Sequence, residues 1–323
     1  MSDPRVIDSD DERGPRVSED QLMAEEDIKR RHAEADMEVQ IVDAVRTGAG
    51  PVQTVRFTAS DSFNFRCHSG VPCWNACCHN TDITLTPYDI LRLARRFETR
   101  PSTVISTMTA PAEHEASGMP VLKLKMVESE DGKRPCVFLD EEKGCTVYAD
   151  RPAACRYYPL GLASVKMKGH DAPEDFYFLV KEPHCKGHEE AREQTVAQFR
   201  REQGVEPYDE HNRGWIDILM KLASWKTVGG PMGKTPTTQT KQMFFMASSD
   251  VDRFRRFVFE TRFLQVYEVS PEAIEAIKTD DEALLRLGFD WLKQVLFNEP
   301  TLALREEVLQ GAIAKARANL GGT

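Results

Sequence analysis

Eight cysteines hold most of the chemistry available to this sequence: Cys67, Cys73, Cys77, Cys78, Cys136, Cys145, Cys155 and Cys185. They fall as C-x5-C-x3-C-C and, after a gap of 57 residues, as C-x8-C-x9-C-x29-C, with none in the 138 residues from 186 to 323. Cysteines serving only as small apolar residues would be scattered along the chain, so this confinement points to a shared purpose. Thiolates bind soft and borderline metals, and four of them complete either a tetrahedral zinc site or an iron–sulfur cluster. Eight suffice for two centres. The spacing matches neither paired C-x2-4-C zinc knuckles nor the C-x2-C-x2-C run of a ferredoxin, so it leaves the metal open. Side chains of neighbours such as Cys77 and Cys78 diverge, which suits the pair to different metals or sends one of them inward.

The first residues, MSDPRVIDSDDERGP, lack the basic and apolar regions of a secretory signal, which predicts a cytoplasmic protein with reduced, unbridged thiols. Four thiolates around a divalent zinc or a doubly charged four-iron cluster leave about −2 to be offset. Arg66, Arg151 and Arg156, which flank Cys67 and Cys155, are the candidates. His68, His79, His184 and His188 also lie near cysteines, but eight thiols make imidazole ligands unnecessary; His184, next to Cys185, is the first to test. Tyr148, Tyr157 and Tyr158, with Pro152 and Pro159, are expected to wall the centre from water. No Ser/His/Asp or Cys/His grouping nominates a hydrolytic site, no catalytic residue is assigned, and Glu141-Glu142 read as solvated turn acids.

These residues also form a pattern: Phe65-Arg-Cys67, Cys73, Cys77-Cys78, Ile83-x-Leu-x-x-Tyr-Asp-Ile-Leu, Cys136-Val-Phe-Leu, Gly-Cys145-x-Val-Tyr, and Arg-Pro-x-x-Cys155-Arg-x-Tyr-Pro159. The pattern resembles the YkgJ-type cysteine-cluster family, a zinc- or iron-chelating domain, over roughly residues 60–190. The resemblance implies a chelating role for all eight cysteines. Flagellin lysine-N-methylase contains a similar cysteine domain, so a lysine N-methylase-like, protein-modifying activity follows by family analogy alone. No Gly-rich strand-to-helix loop of the Rossmann kind is present to support a bound S-adenosylmethionine.

The elements that must position the cysteines can be read from pattern. Residues 1–20 are acidic and short of aromatics, which predicts a disordered tail, and 21–53 read as a charged helix (Gln21–Val45) and a linker. A cysteine-cluster metal-binding domain is expected over 54–190 and a helical region over 191–323. Strands are expected at Val55–Phe57, Phe63–Phe65, Val121–Met126 and Phe176–Val180, with a hairpin joining Cys136–Leu139 to Thr146–Tyr148. A helix should start at Thr86-Pro87, with Ile90, Leu93, Ala94 and Phe97 on one apolar face. Further helices are expected at Glu189–Gln203, Tyr208–Trp225, Asp250–Phe263, Pro271–Lys278 and Asp281–Phe297, the last with a core stripe of Leu284, Leu287, Trp291 and Val295.

The fold class expected is therefore α+β, a cysteine-rich metal-binding core with short strands followed by a mainly helical part. The function expected is cysteine-ligated metal binding. An iron–sulfur cluster with a redox or protein-modification role ranks first, a zinc module organising a protein-interaction surface second, and a transient metal carrier third. A protein partner or substrate is compatible with each. A formal charge of −10 argues against nucleic acid, and no apolar run approaches the roughly 18 residues that cross a bilayer.

Overall fold

Among the described residues every strand pairing is antiparallel and short, and the cysteine-bearing part is held by small pairs and turns. The computed structural model describes residues 55–165, 174–228 and 236–320. The expected tail and first helix lie outside these residues. Strand β1 (Ser62–Asn64) pairs with β9 (Glu193–Thr195), bringing the residues before Cys67 beside those after Cys185. Strands β2 (Thr84–Leu85), β3 (Thr109–His114) and β4 (Met119–Leu124) form a three-stranded sheet in the order β2-β4-β3. Two hairpins follow, β5 (Leu139–Asp140) with β6 (Gly144–Cys145) and β7 (Leu160–Val165) with β8 (Glu174–Leu179). Val55–Phe57 is not a strand; Phe57 makes a single bridge to Tyr177.

Helix α1 (Pro87–Arg96) begins where the sequence places its start signals. Thr86 accepts from Asp89 N at 3.2 Å, Asp89 Oδ2 accepts from Thr86 N at 2.7 Å, and Pro87 occupies the first turn. Its expected stripe of Ile90, Leu93 and Ala94 is buried with Leu85, Leu122, Leu124, Phe138 and Val147, while Phe97 stacks on Phe138. Tyr88 and Leu91 enter a different, larger core. The helix thus has two apolar faces rather than one, and wedges between the cysteine hairpin and the C-terminal helices.

After α2 (Pro101–Met108) and the short α3 (Ala153–Tyr157), the helical part comprises α4 (Val196–Gln203), α5 (Glu206–Val228), α6 (Thr238–Ser248), α7 (Val251–Glu260), α8 (Phe263–Val266), α9 (Pro271–Ala276), α10 (Asp281–Phe297) and α11 (Glu306–Leu320). Helix α10 matches its expected bounds, with Leu284 and Trp291 buried and Val295 exposed. The expected helix from Glu189 starts only at Val196, because β9 takes the preceding residues and Thr195 caps the helix. The architecture is α+β. Among the described residues no helix is long and apolar enough to cross a membrane.

Candidate metal centre

Residues 67–78 form a loop of successive turns, with Val71 N donating to His68 O, Trp74 N to Val71 O, Ala76 N to Cys73 O and Cys78 N to Asn75 O, all at 2.9–3.1 Å. Val71 and Asn75 are buried and anchor it. Asn75 takes the left-handed conformation (φ 66°) before the 3₁₀ turn Ala76–Cys78 and donates through Nδ2 to Glu141 O. One side of the loop is fixed by the segment around Cys185: Arg66 N donates to Gly187 O at 3.0 Å, and Lys186 N donates to Cys73 Sγ at 3.1 Å. A Cβ on Gly187 would meet Phe65 Cε2 at 2.7 Å and Arg66 O at 3.0 Å, so this close approach requires glycine.

The other side is fixed by the hairpin. Cys136 N donates to Cys78 O at 2.8 Å, and Leu139 of β5 pairs with Cys145 of β6. The strands are shorter than expected because Leu139 N returns to Cys136 O and Phe138 N turns to Cys136 Sγ, while Thr146, through N and Oγ1, still reaches across the hairpin to Phe138 O. Cys155 lies on α3, whose first amide, Ala153 N, donates to the buried Asp89 Oδ1 at 2.9 Å.

Backbone amides are aimed at several sulfurs. Phe138 N reaches Cys136 Sγ at 3.4 Å, and the Val147 and Gly187 amides lie near enough to Cys145 and Cys185 to favour their thiolates. Three cysteines therefore share one device, an amide two residues on that stabilises charge on sulfur. Tyr158 Oη is buried without a well-formed hydrogen bond, yet lies near enough to Cys185 to favour its thiolate. Arg151, buried by Tyr148 and Gln203, has Cys145 and Cys155 in electrostatic reach. The cation the sequence called for is thus present at Arg151. Arg156 instead donates to the carbonyls of Ala149, Arg151 and Gln203, and Arg66 is exposed.

Burial first, then neighbouring thiols, push Cys67 and Cys136 up to about 11 and Cys155 up to about 12; burial also raises Cys145 and Cys185. Cys77 is drawn down to about 7 because the Cys78 S–H donates to its sulfur, and Cys78 is raised in consequence. Each of these thiols has other cysteines in electrostatic reach. Even so, among the described residues no three Cys, His, Asp or Glu side chains converge as a single ion would require. Cys67 and Cys77 are exposed and the other six half-buried.

The histidines are engaged elsewhere. His68 pairs with Glu190, His79 with Glu141 and the Asn75 carbonyl, His184 with Glu182 on the surface, and His188 with Val180 O. Of the tyrosines expected to wall the centre, Tyr158 lies by a sulfur, Tyr148 is exposed, and Tyr157 is committed to Asp209 and Arg200. Trp74, Asn75, Asp89, Gly144 and Gly187 hold the site without having been read as part of it. The signal available for them was an aromatic, polar or glycine residue within two positions of a cysteine, Asp89 excepted.

Residues 66–211 match the model of the CxxCxxCC family, described as "Putative zinc- or iron-chelating domain". No curated protein and no solved structure matches the chain. The match spans all eight cysteines, β1 excepted among the elements described around them, and extends through α4 into α5. Residues 66–211 are accordingly a cysteine-cluster domain of the zinc- or iron-chelating CxxCxxCC family.

Proposed function

We propose that the cysteine-cluster domain holds iron–sulfur and serves redox chemistry, with Cys67, Cys73, Cys77, Cys78, Cys136, Cys145, Cys155 and Cys185 as the ligands. The number of thiols carries this reading: one tetrahedral zinc takes four thiolates, and eight cysteines, an adjacent pair among them, lie between residues 67 and 185 without the short paired knuckles of structural zinc.

The donor set fits that group: soft thiols, backbone amides aimed at sulfur, and the Arg151 charge beside Cys145 and Cys155. A bound cluster would supply one-electron chemistry. The chain's own part is to stabilise thiolate charge and to leave an edge, at exposed Cys67 and Cys77, where a redox partner could approach. A protein-modifying role rests on the likeness to flagellin lysine-N-methylase alone.

Protein purified without oxygen should be brown, contain iron with acid-labile sulfide, and lose colour in air and on Cys155→Ser. Colourless anaerobic protein with stoichiometric zinc and no sulfide would overturn the reading and put the zinc-organised interaction module first.

A further inference from the structure

Two pairs of thiols stand in side-chain hydrogen-bond contact, Cys77 with Cys78 and Cys73 with Cys185. The first pair is adjacent in the chain, and the separation of about 3.8 Å between neighbouring Cα atoms is shorter than the roughly 4.4–6.8 Å that a disulfide spans. The second pair is under no such constraint. Lys186 N, the amide that follows Cys185, donates to Cys73 Sγ at 3.1 Å, which sets that sulfur one peptide unit, within about 6 Å, from the Cys185 Cα. The backbones carrying the pair are held together by contacts that involve no sulfur. Arg66 N donates to Gly187 O and Phe65 N to Arg192 O, both at 3.0 Å, and β1 pairs with β9 beyond them.

We infer that Cys73 and Cys185 are a redox-modification site, a dithiol that closes reversibly to a disulfide joining the 67–78 loop to the segment after β8. The oxidant is a low-molecular-weight disulfide of the glutathione class. One cysteine sulfur attacks it and displaces one thiol, and the other cysteine attacks the mixed disulfide and displaces the second. One S–S bond breaks and one forms, two electrons pass from the cysteine sulfurs to the reagent, and the two thiol protons leave on its two thiols.

The surroundings suit reversal as well as closure. Lys186 N at Cys73, with the Gly187 amide and the Tyr158 hydroxyl near Cys185, stabilises charge on whichever sulfur leaves. Tyr158 Oη is buried without a well-formed hydrogen bond, and a Cys185 thiolate is an acceptor that satisfies it. In a reducing compartment a bond of this kind is transient and regulatory.

The pairing rests on geometry and not on a metal, although ligation by these two sulfurs and the disulfide exclude each other. The full chain, purified without oxygen, is titrated with oxidised against reduced glutathione, quenched, alkylated and peptide-mapped. The Cys73–Cys185 cross-link should form first, reverse in excess reduced glutathione, and be lost in Cys73→Ser and in Cys185→Ser. First closure of another pair, such as Cys77–Cys78, Cys67–Cys73 or Cys67–Cys185, or a titration without the 73–185 cross-link, would overturn the inference. Because the mapping is done on the unaltered chain, it decides even where a variant misfolds. Metal measured in the same samples separates this inference from the ligand assignment. A cross-linked chain that keeps its full metal would remove Cys73 and Cys185 from the ligands and leave the disulfide standing.

Discussion

At Gly144 the backbone takes φ +85° one residue before Cys145, and a Cβ there would meet Trp74 Cζ2 at 2.7 Å. Trp74 lies between Cys73 and Asn75, so this contact clamps the hairpin onto the cysteine loop. Gly144→Ala should cost on the order of 3 kcal/mol, from the left-handed backbone together with the displaced indole. Metal content should fall with the melting temperature; an unchanged Tm with full metal would refute the clamp. Residue type alone made the cysteines and Arg151 legible in the sequence. What it could not give was their grouping, since Cys78 meets Cys136 through a hydrogen bond spanning 57 intervening residues. Arg156 was misread for a related reason: three carbonyls brought together by folding take its guanidinium, and sulfur does not.

Helix α1 was legible because its start is written locally, in Thr86, Pro87 and Asp89. Its second role was not, because Asp89 also accepts from Ala153 N and so joins α1 to the helix carrying Cys155, a contact across 64 positions. Tyr88 N, likewise, donates to the buried Asn212 Oδ1 of α5. Hairpin lengths were overestimated where amides that could have extended the ladder turn back within the loop or reach sulfur instead. Helix α6 went unread because its sequence, TQTKQMFFMAS, has little amphipathic pattern. Burial raises the Asp89 carboxyl from its ordinary 3.8 to about 6 in spite of its hydrogen bonds to Thr86 and Ala153. The folded protein therefore holds this proton more tightly than the unfolded chain does. Stability contributed by the protonated acid is present below about pH 4 and is lost as pH rises to about 6, by on the order of 3 kcal/mol. Asp89→Asn, which cannot ionise, should lack that segment of the stability–pH curve relative to wild type. Parallel curves for the two proteins between pH 4 and 6 would show that Asp89 titrates normally.

Among the described residues the apolar side chains gather into three cores, and only the two smaller ones include cysteines. Cys136 and Cys145 pack on one and Cys185 on the other, while the large core, built on Phe244, Phe254, Leu284 and Leu292 with Tyr88 and Leu91 from α1, has none. A metal bound to the thiols would therefore support the small cores directly and the large one through Tyr88 and Leu91 of α1, Met119 and Val121 of β4 and Ala153 of α3. Removing it should raise amide exchange around β5, β6 and the 67–78 and 185–195 segments, with α7 and α10 still protected. The acidity of the thiols sets how that support depends on pH. Burial and neighbouring thiols hold Cys67, Cys136 and Cys155 protonated up to about 11–12, so near neutral pH an incoming metal must displace their protons. Metal-derived stability is then greatest at high pH and is lost as pH falls, with apparent affinity dropping about tenfold per pH unit for each proton displaced. Calorimetric titration of metal into the stripped protein, in buffers of different ionisation heat, should register several protons released per chain. A titration that releases none, or exchange that rises equally in all three cores after chelation, would mean that the cysteines do not couple metal to the fold in this way.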